Sequence, residues 1–208
     1  MARPTFDELP FNARPDLTPY LLHLTKNTLA EDGYTSFDNL VSILKIGKIL
    51  GSEPRTGMIK GRRSAACFMD VPFASLKYVL TPENTDPQTP RYEPYGVVVT
   101  KRFAHRLGCR PVLYLSNEEV VALGIPEREL WRVVRFEVSK DGWISWLHER
   151  EWRCPDQFRL PKAPQAVIVR NAREAKRLTD MIAASPEEFR SVPKSVIPAT
   201  VICQGLLA

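Results

Sequence analysis

Prolines restrict what this chain can fold into more than any other feature of its sequence. There are 18 of them in 208 residues. Proline lacks the backbone N–H that continues a helix or the ladder of a sheet. We therefore expect long loops between short secondary-structure elements. The length is sufficient for one domain with a substantial core and a small appendage.

Most of the apolar runs have the length of strands, and a few show helical spacing. The predicted strands are 19–25, 65–69, 95–100, 111–115, 143–154, 166–169 and 196–203. The predicted helices are 37–47, 101–108, 117–124 and 172–184, with a turn and a helix in 70–80, and 131–138 fits either type. Several strands with few, short helices predict an α+β fold rather than a doubly wound sheet. We place an N-terminal arm at residues 1–18 and a single domain at 19–208.

Charge and cysteine content narrow the class of protein. Lysine and arginine number 29 and aspartate and glutamate 24, a net charge of +5, which is compatible with a nucleotide or nucleic-acid partner. The four cysteines form no C-x-x-C pair and have no histidine at ligand spacing, so we expect no metal site. The start does not read as a signal peptide and no apolar run approaches 18 residues, so we expect a cytoplasmic protein with reduced thiols and no membrane partner.

Two acidic residues stand two positions apart in the aromatic and arginine-rich stretch 148–153. In a strand, Glu149, Glu151 and Arg153 share one face, and Arg150 and Trp152 take the other. Two carboxylates on one face are unfavourable unless that face lines a cleft or pairs with cations. The alternative is an ordinary surface strand with Glu–Arg ion pairs.

Further polar residues interrupt apolar or glycine-containing segments. His23 and Thr25 share a face of the first predicted strand, although a histidine there is also compatible with a hydrogen-bonded core position. The loop 57–63 carries Lys60, Arg62 and Arg63 between Gly57 and Gly61. Such a loop suits the binding of a diphosphate, and the alternative is a solvated surface loop.

Taken in order, three stretches resemble ADP-ribosyltransferase toxins of the DNA-targeting DarT type. They are His23-Leu24-Thr25 with the helix at 37–50, the loop 57–63 with the following segment 66–78, and Glu149-Arg150-Glu151-Trp152. The chain resembles abortive-infection proteins of the AbiGi type more closely, over most of residues 19–183, and the segments 94–98, 110–114 and 148–153 carry that likeness. The likeness to the DarT type covers roughly half of that span. This chain departs from the toxins in having Glu-x-Glu where they have Gln-x-Glu, and about a dozen residues between Thr25 and the Phe37 helix where they have a shorter link.

The resemblance implies an ADP-ribosyltransferase-like split sheet, mixed or antiparallel, with short helices. It implies NAD as the substrate and an anti-phage role, with nucleic acid (DNA or RNA) or protein as the acceptor and a cognate defence or toxin–antitoxin protein as a partner. Such a transfer breaks the nicotinamide–ribose bond through a cation-like state, which a carboxylate stabilises. The alternative is a noncatalytic antitoxin, sensor or partner-binding module on the same fold.

The resemblance also assigns roles to residues. Glu151 is the catalytic carboxylate for the donor and Glu149 the one for the acceptor. The residues expected to bind NAD are His23, Thr25, Asn39, Lys60, Arg62, Arg63, Phe68 and Tyr78. For Phe68 the favoured alternative is a place in the apolar core.

Overall fold

The computed structural model describes residues 14–54, 59–86, 90–140 and 142–204. The chain divides into two compact units, neither of which is continuous in sequence. The first comprises Met1–Lys48, Val71–Arg102 and Leu160–Ala208, and the second comprises Ile49–Asp70 and Phe103–Arg159. The single domain at 19–208, with its arm at 1–18, stays a prediction.

The described residues form short strands and helices. The strands are β1 (Tyr20–Leu24), β2 (Lys48–Leu50), β3 (Ala65–Phe68), β4 (Gly96–Thr100), β5 (Arg110–Pro111), β6 (Leu113–Leu115), β7 (Val133–Arg135), β8 (Glu137–Ser139), β9 (Gly142–Ile144), β10 (Trp152–Pro155), β11 (Gln157–Arg159), β12 (Ala166–Val169) and β13 (Val196–Pro198). The α-helices are α1 (Ser36–Ile46), α2 (Lys101–Arg106), α3 (Asn117–Ala122), α4 (Ala172–Ala184) and α5 (Ala199–Ile202). Short helices with several small sheets agree with the α+β prediction, and the split-sheet arrangement stays a prediction.

A four-stranded sheet organises the first unit, in the order β1-β4-β12-β13. β4 pairs antiparallel with β1 and β12, whereas β13 runs parallel to β12. The central strands β4 and β12 are valine-rich and buried, as expected for strands covered on both faces. Gly96 is required here, because a Cβ atom would lie 2.4 Å from the carbonyl oxygen of His23. The predicted strands in 19–25, 95–100 and 166–169 are confirmed.

The two longer helices of this unit begin at N-capping residues, and α1 also ends at a C-capping glycine. Thr35 is the N-cap of α1, and its side chain forms a capping box with that of Asp38. Gly47 ends the helix in the left-handed conformation at φ 68°. α4 has the predicted bounds, with Leu178 buried. The predicted strand 196–203 is wrong beyond Pro198, where the chain turns into α5.

A three-stranded antiparallel sheet, in the order β3-β10-β5, organises the second unit. β6 and β7 form a parallel pair, β8 and β9 form a hairpin, and β11 pairs with β2. The predicted strand 111–115 is divided at Val112 into β5 and β6. The ambiguous segment 131–138 contains the end of a 3₁₀ turn, Glu127–Arg132, followed by β7 and the start of β8.

The prediction of a strand through 143–154 is wrong in its middle. Leu147–Glu149 form a 3₁₀ turn, and Arg150 adopts the left-handed conformation at φ 47°. A left-handed residue reverses the chain direction, so the alternation of faces starts afresh after it. Glu149 therefore does not share a strand face with Glu151, whereas Glu151 and Arg153 do lie together.

Candidate active site

Glu151 and Arg153 form a buried bidentate ion pair in the second unit. Arg153 donates from Nε to Glu151 Oε1 at 2.7 Å and from Nη2 to Oε2 at 3.2 Å. The two side chains are 8% and 2% exposed. Two parallel hydrogen bonds fix the carboxylate in one orientation. The sequence-based expectation that an acid on this face pairs with a cation is confirmed for Glu151.

The remaining donors of Arg153 hold neighbouring backbone. Its Nη1 donates to the carbonyl oxygens of Trp131 and Val133, at 2.9 and 3.2 Å. One guanidinium thus connects β10, the 3₁₀ turn at Glu127–Arg132 and β7. A buried arginine needs this many partners because unpaired donors in a low-dielectric interior are strongly unfavourable.

The backbone of Glu151 is also fixed. Its N–H donates to the Tyr114 hydroxyl at 3.1 Å, and its carbonyl accepts from Val112 N–H at 3.0 Å. The Tyr114 hydroxyl donates in turn to the Trp146 carbonyl at 3.3 Å. Burial raises the pKa of Tyr114, with the charges of Glu151 and Glu149 adding to the shift. Tyr114 therefore stays a neutral donor at physiological pH.

Cys67 lies against the same carboxylate. It occupies the position opposite Arg153 in the β3–β10 ladder, on the face that also carries Glu151. Burial raises the pKa of this thiol well above its ordinary value, and the Glu151 charge raises it further. A thiol of this kind is protonated and unreactive.

Glu149 lies at the end of the 3₁₀ turn Leu147–Glu149, which precedes β10. Its carbonyl accepts from the Asp70 N–H at 3.3 Å, and Arg150 Nη2 lies 3.8 Å from Asp70 Oδ2. A non-glycine residue at φ 47° is strained, and such strain is common at functional sites. The Arg150 conformation separates a half-buried Glu149 from a buried Glu151, so the two carboxylates have different surroundings.

The three basic residues of the predicted phosphate loop do not act as one cluster. Lys60 donates to the side-chain oxygen of Asn117. Burial lowers its pKa, and the charge of Arg135 lowers it further. Arg63 binds Asp156 through two hydrogen bonds, of 3.2 and 2.6 Å. Arg62 is exposed.

Arg62 and Arg63 line an open cavity of about 660 Å³. Its other lining residues are Glu53, Pro54, Gly61, Ser64 and Asp156. Gly61 has φ +81°, and a Cβ atom there would lie 2.9 Å from the Cβ atom of Leu130. This glycine thus permits close packing against the 3₁₀ turn at Glu127–Arg132. Gly57, the other glycine of the prediction, lies outside the described residues.

Thr25 and Asn39, both in the first unit, position backbone. The Thr25 hydroxyl lies 3.0 Å from the Ser36 carbonyl oxygen and 3.3 Å from that of Tyr95. Asn39 donates to the Lys26 carbonyl at 2.8 Å and to the Thr28 hydroxyl at 3.0 Å. These contacts stabilise the segment between β1 and α1, and Thr25 and Asn39 retain acceptor capacity.

The last three candidates differ in exposure. His23 is half-buried on β1 opposite Val97. Tyr78, also in the first unit, is 71% exposed with Lys77 Nζ 5.0 Å from its ring centroid. Phe68, in the second unit, is 1% exposed and packs edge-to-face on Phe158 at 4.9 Å. Phe68 therefore has the placement of a core residue, which was the alternative interpretation.

The sequence did not identify Tyr114 as part of the Glu151 site. Tyr114 lies on β6, and its hydroxyl reaches Trp146 and Glu151 only because the chain turns back towards β6 before residue 146. Arg153 was detectable from its spacing of two from Glu151. No group of three or more His, Cys, Asp or Glu side chains able to hold a metal ion is present among the described residues. In the same part of the chain, no helix is long and apolar enough to cross a membrane.

Comparison with known proteins finds likenesses only among solved structures. No family model matches the chain, and no curated protein does. DarT from Thermus sp. 2.9 in complex with NAD+ is 18% identical with a TM-score of 0.46, and the match covers 87% of this chain and 96% of that one. The same protein in complex with ADP-ribosylated single-stranded DNA is 17% identical with a TM-score of 0.45, over 87% and 94%. Its complex with carba-NAD+ is 16% identical with a TM-score of 0.44, over 86% and 95%.

Proposed function

We propose that this protein is an NAD-dependent ADP-ribosyltransferase in anti-phage defence, with Glu151 acting on the donor. The observation that carries the proposal is the Glu151 carboxylate, nearly buried and fixed by two hydrogen bonds from Arg153. Cleavage of the nicotinamide–ribose bond develops positive charge on the ribose. A preorganised carboxylate in a low-dielectric site stabilises such charge without reorganisation.

The carboxylate retains capacity for a ligand. Each oxygen of a carboxylate has two lone-pair sites, and each Glu151 oxygen accepts one hydrogen bond from Arg153. The remaining lone pairs can accept a ribose hydroxyl. Arg153 then acts as a positioning residue, because it orients the carboxylate and does not itself contact the donor.

Glu149 is proposed to act on the acceptor. The bond from the ribose carbon to the nicotinamide nitrogen breaks, and its electron pair leaves with nicotinamide. An acceptor atom then bonds to the same carbon, and its proton passes to the Glu149 carboxylate. The net charge of +5 supports a nucleic acid as the acceptor.

Donor-binding roles are proposed for the residues to which the sequence analysis assigns them. His23, Thr25 and Asn39 are assigned to the ribose and amide groups, and the exposed ring of Tyr78 to stacking. Lys60, Arg62 and Arg63 are assigned to the diphosphate. Arg62 and Arg63 are both exposed and both line the 660 Å³ cavity, and Arg63 is paired there with Asp156.

A test uses labelled NAD with single-stranded DNA, RNA or cell lysate as separate acceptors. We expect nicotinamide release and label transfer from the wild type, and Glu151→Gln should lower both by about 10²–10³-fold. Glu149→Ala should reduce transfer while leaving some NAD hydrolysis. The matched control is Glu129→Gln, which removes an acid whose side chain is 40% exposed and paired with Arg132. Full activity of a folded Glu151→Gln protein would reject the assignment.

One observation favours the noncatalytic alternative. Both oxygens of Glu151 are engaged by Arg153, which is also how a purely structural ion pair looks. In that case the protein is an antitoxin, sensor or partner-binding module of phage defence. Protection of cells from phage would then survive Glu151→Gln, whereas the enzyme requires that protection be lost while the protein remains folded.

A further inference from the structure

Two cysteines lie opposite each other beside the Glu151–Arg153 pair. In the antiparallel β5–β10 ladder, Trp152 pairs with Pro111 and Arg153 with Arg110. One further residue along this register brings Cys154 opposite Cys109. Both are free thiols in the second unit, 2% and 0% exposed. Their side chains share the strand face opposite to that of Arg153.

The hydrogen-bonding pattern places them at a close cross-strand position. Val112 N–H donates to the Glu151 carbonyl, so that pair is hydrogen-bonded and pairs alternate from there. The Cys109–Cys154 position is then a non-hydrogen-bonded one, and Cys109 N–H donates instead to the Ala104 carbonyl at 3.1 Å. Cα atoms at such positions are about 4.5 Å apart, within the range of about 4.4–6.8 Å that a disulfide spans.

Each thiol also has the other as a neighbour that affects its ionisation. The Cys154 side chain raises the pKa of Cys109. Cys154 itself donates from its Sγ atom to the carbonyl oxygens of Leu107 at 3.6 Å and Gln157 at 3.7 Å. Cys67, by contrast, lies against the Glu151 carboxylate, whose charge disfavours its thiolate.

We propose that Cys109 and Cys154 form a site of reversible oxidation, an intramolecular disulfide produced by hydrogen peroxide. The thiolate of one cysteine attacks a peroxide oxygen, the O–O bond breaks, and one water leaves after protonation. The sulfur of the other cysteine then attacks the resulting sulfenic acid, the S–S bond forms, and a second water leaves. The two thiols lose two electrons and two protons, which the peroxide takes up.

A turn next to the pair offers a route for the oxidant. Cys109 directly follows Leu107, which is 40% exposed, and Gly108, which has φ +90° and open space around it. The Leu107 carbonyl oxygen lies 3.6 Å from the Cys154 sulfur. Local opening of this turn uncovers both thiols without separating β3 from β10.

The disulfide would connect β5 to β10 beside Arg153. It would close a loop over residues 109–154, which contains β6 to β9 and both acidic residues of the candidate active site. Closing a loop of this length restricts the unfolded chain. We expect the oxidised protein to melt about 5–10 °C higher than the reduced one.

The experiment uses the full chain with Cys67→Ser and Cys203→Ser, so that the pair alone remains. After peroxide treatment the protein is denatured with N-ethylmaleimide, digested and analysed by mass spectrometry without reductant. We expect the tryptic peptides 107–128 and 154–159 to be joined, with no alkylation of either thiol, and dithiothreitol to reverse both the cross-link and the rise in Tm.

Three results would overturn the proposal. They are alkylation of both thiols after peroxide treatment, a cross-link between two chains, and irreversible oxidation of either thiol without a cross-link. Cys109→Ala in the same background is the control, and it should give no joined peptide and no rise in Tm. If that control does not fold, the comparison of peroxide-treated with untreated Cys67→Ser/Cys203→Ser protein still decides the question.

Discussion

At the scale of single residues, Arg153 has the largest expected effect on stability. Arg153→Met leaves the Glu151 carboxylate buried without its cation, and we expect a loss of about 3–5 kcal/mol in the free energy of unfolding. Urea denaturation measures it. In Glu151→Leu/Arg153→Met both charges are gone, and much of the stability should return.

A matched control separates burial from charge pairing. Arg63 also forms two hydrogen bonds to a carboxylate, that of Asp156, but these two side chains are 44% and 59% exposed. Arg63→Met should therefore cost no more than about 1 kcal/mol. Equal losses for the Arg63 and Arg153 variants would contradict the buried ion pair.

The backbone at Arg150 gives a second residue-scale prediction. Glycine adopts φ 47° without strain, whereas a β-branched residue does not. Arg150→Gly should unfold at the same urea concentration as wild type or close to it, and Arg150→Val should be less stable than Arg150→Gly by about 1–3 kcal/mol. Both variants lose the Asp70 contact, so their difference reports the backbone alone.

At the scale of elements, the end of α1 is the most specific feature. Gly47 has φ 68°, and a Cβ atom there would lie 2.9 Å from the Cβ atom of Arg190. Gly47→Ala combines left-handed strain with this clash, so we expect a loss of about 2–3 kcal/mol in the free energy of unfolding. Gly124, at φ 60° with open space around it, is the control, and Gly124→Ala should lose only about 1 kcal/mol.

Some helices and strands were predicted correctly from the sequence, and one segment was not. α4 and the strands β1, β4 and β12 follow from local signals, namely helical spacing and continuous β-branched runs. The 143–154 segment was predicted wrongly, because its composition is that of a strand. Its turn requires Arg150 to adopt a left-handed conformation, which is rare for non-glycine residues. Tertiary contacts of Glu149 and Arg150 with Asp70 accompany that turn.

At the scale of the whole molecule, we expect the ionisation of Tyr95 to set the alkaline limit of stability. It is 7% exposed, and its hydroxyl lies 3.0 Å from Glu174 Oε1. Burial raises the pKa of Tyr95 to about 12. An acid whose pKa is raised on folding contributes stability below its unfolded pKa of about 10, and this is lost as the pH rises towards 12.

We therefore expect the free energy of unfolding to fall between about pH 10 and 12, by about 1–2 kcal/mol from this residue. Tyr95→Phe should be less stable at neutral pH, because it loses a hydrogen bond, and should show a shallower alkaline decline. Tyr78→Phe, at a position 71% exposed, should keep the wild-type decline. The same slope in the Tyr95→Phe protein would show that other groups control the alkaline transition.

The sequence by itself determined the class of fold and the existence of most elements. Helical spacing, β-branched runs and glycine positions act over a few residues, so a linear pattern contains them. It also identified the Glu151–Arg153 relation, since a spacing of two in a strand brings side chains to one face. The cations of the 57–63 loop were likewise recognisable as a group of charges.

Tertiary structure decided how those charges are used. Lys60 meets Asn117, Arg63 meets Asp156, and Phe68 packs on Phe158, all across long separations in sequence. The Tyr114 hydroxyl reaches Glu151, and the Cys109–Cys154 pair arises from the register of two strands more than 40 residues apart. Such pairings depend on which segments become neighbours in space, and that choice is made by packing and hydrogen bonding of the whole fold rather than by local sequence.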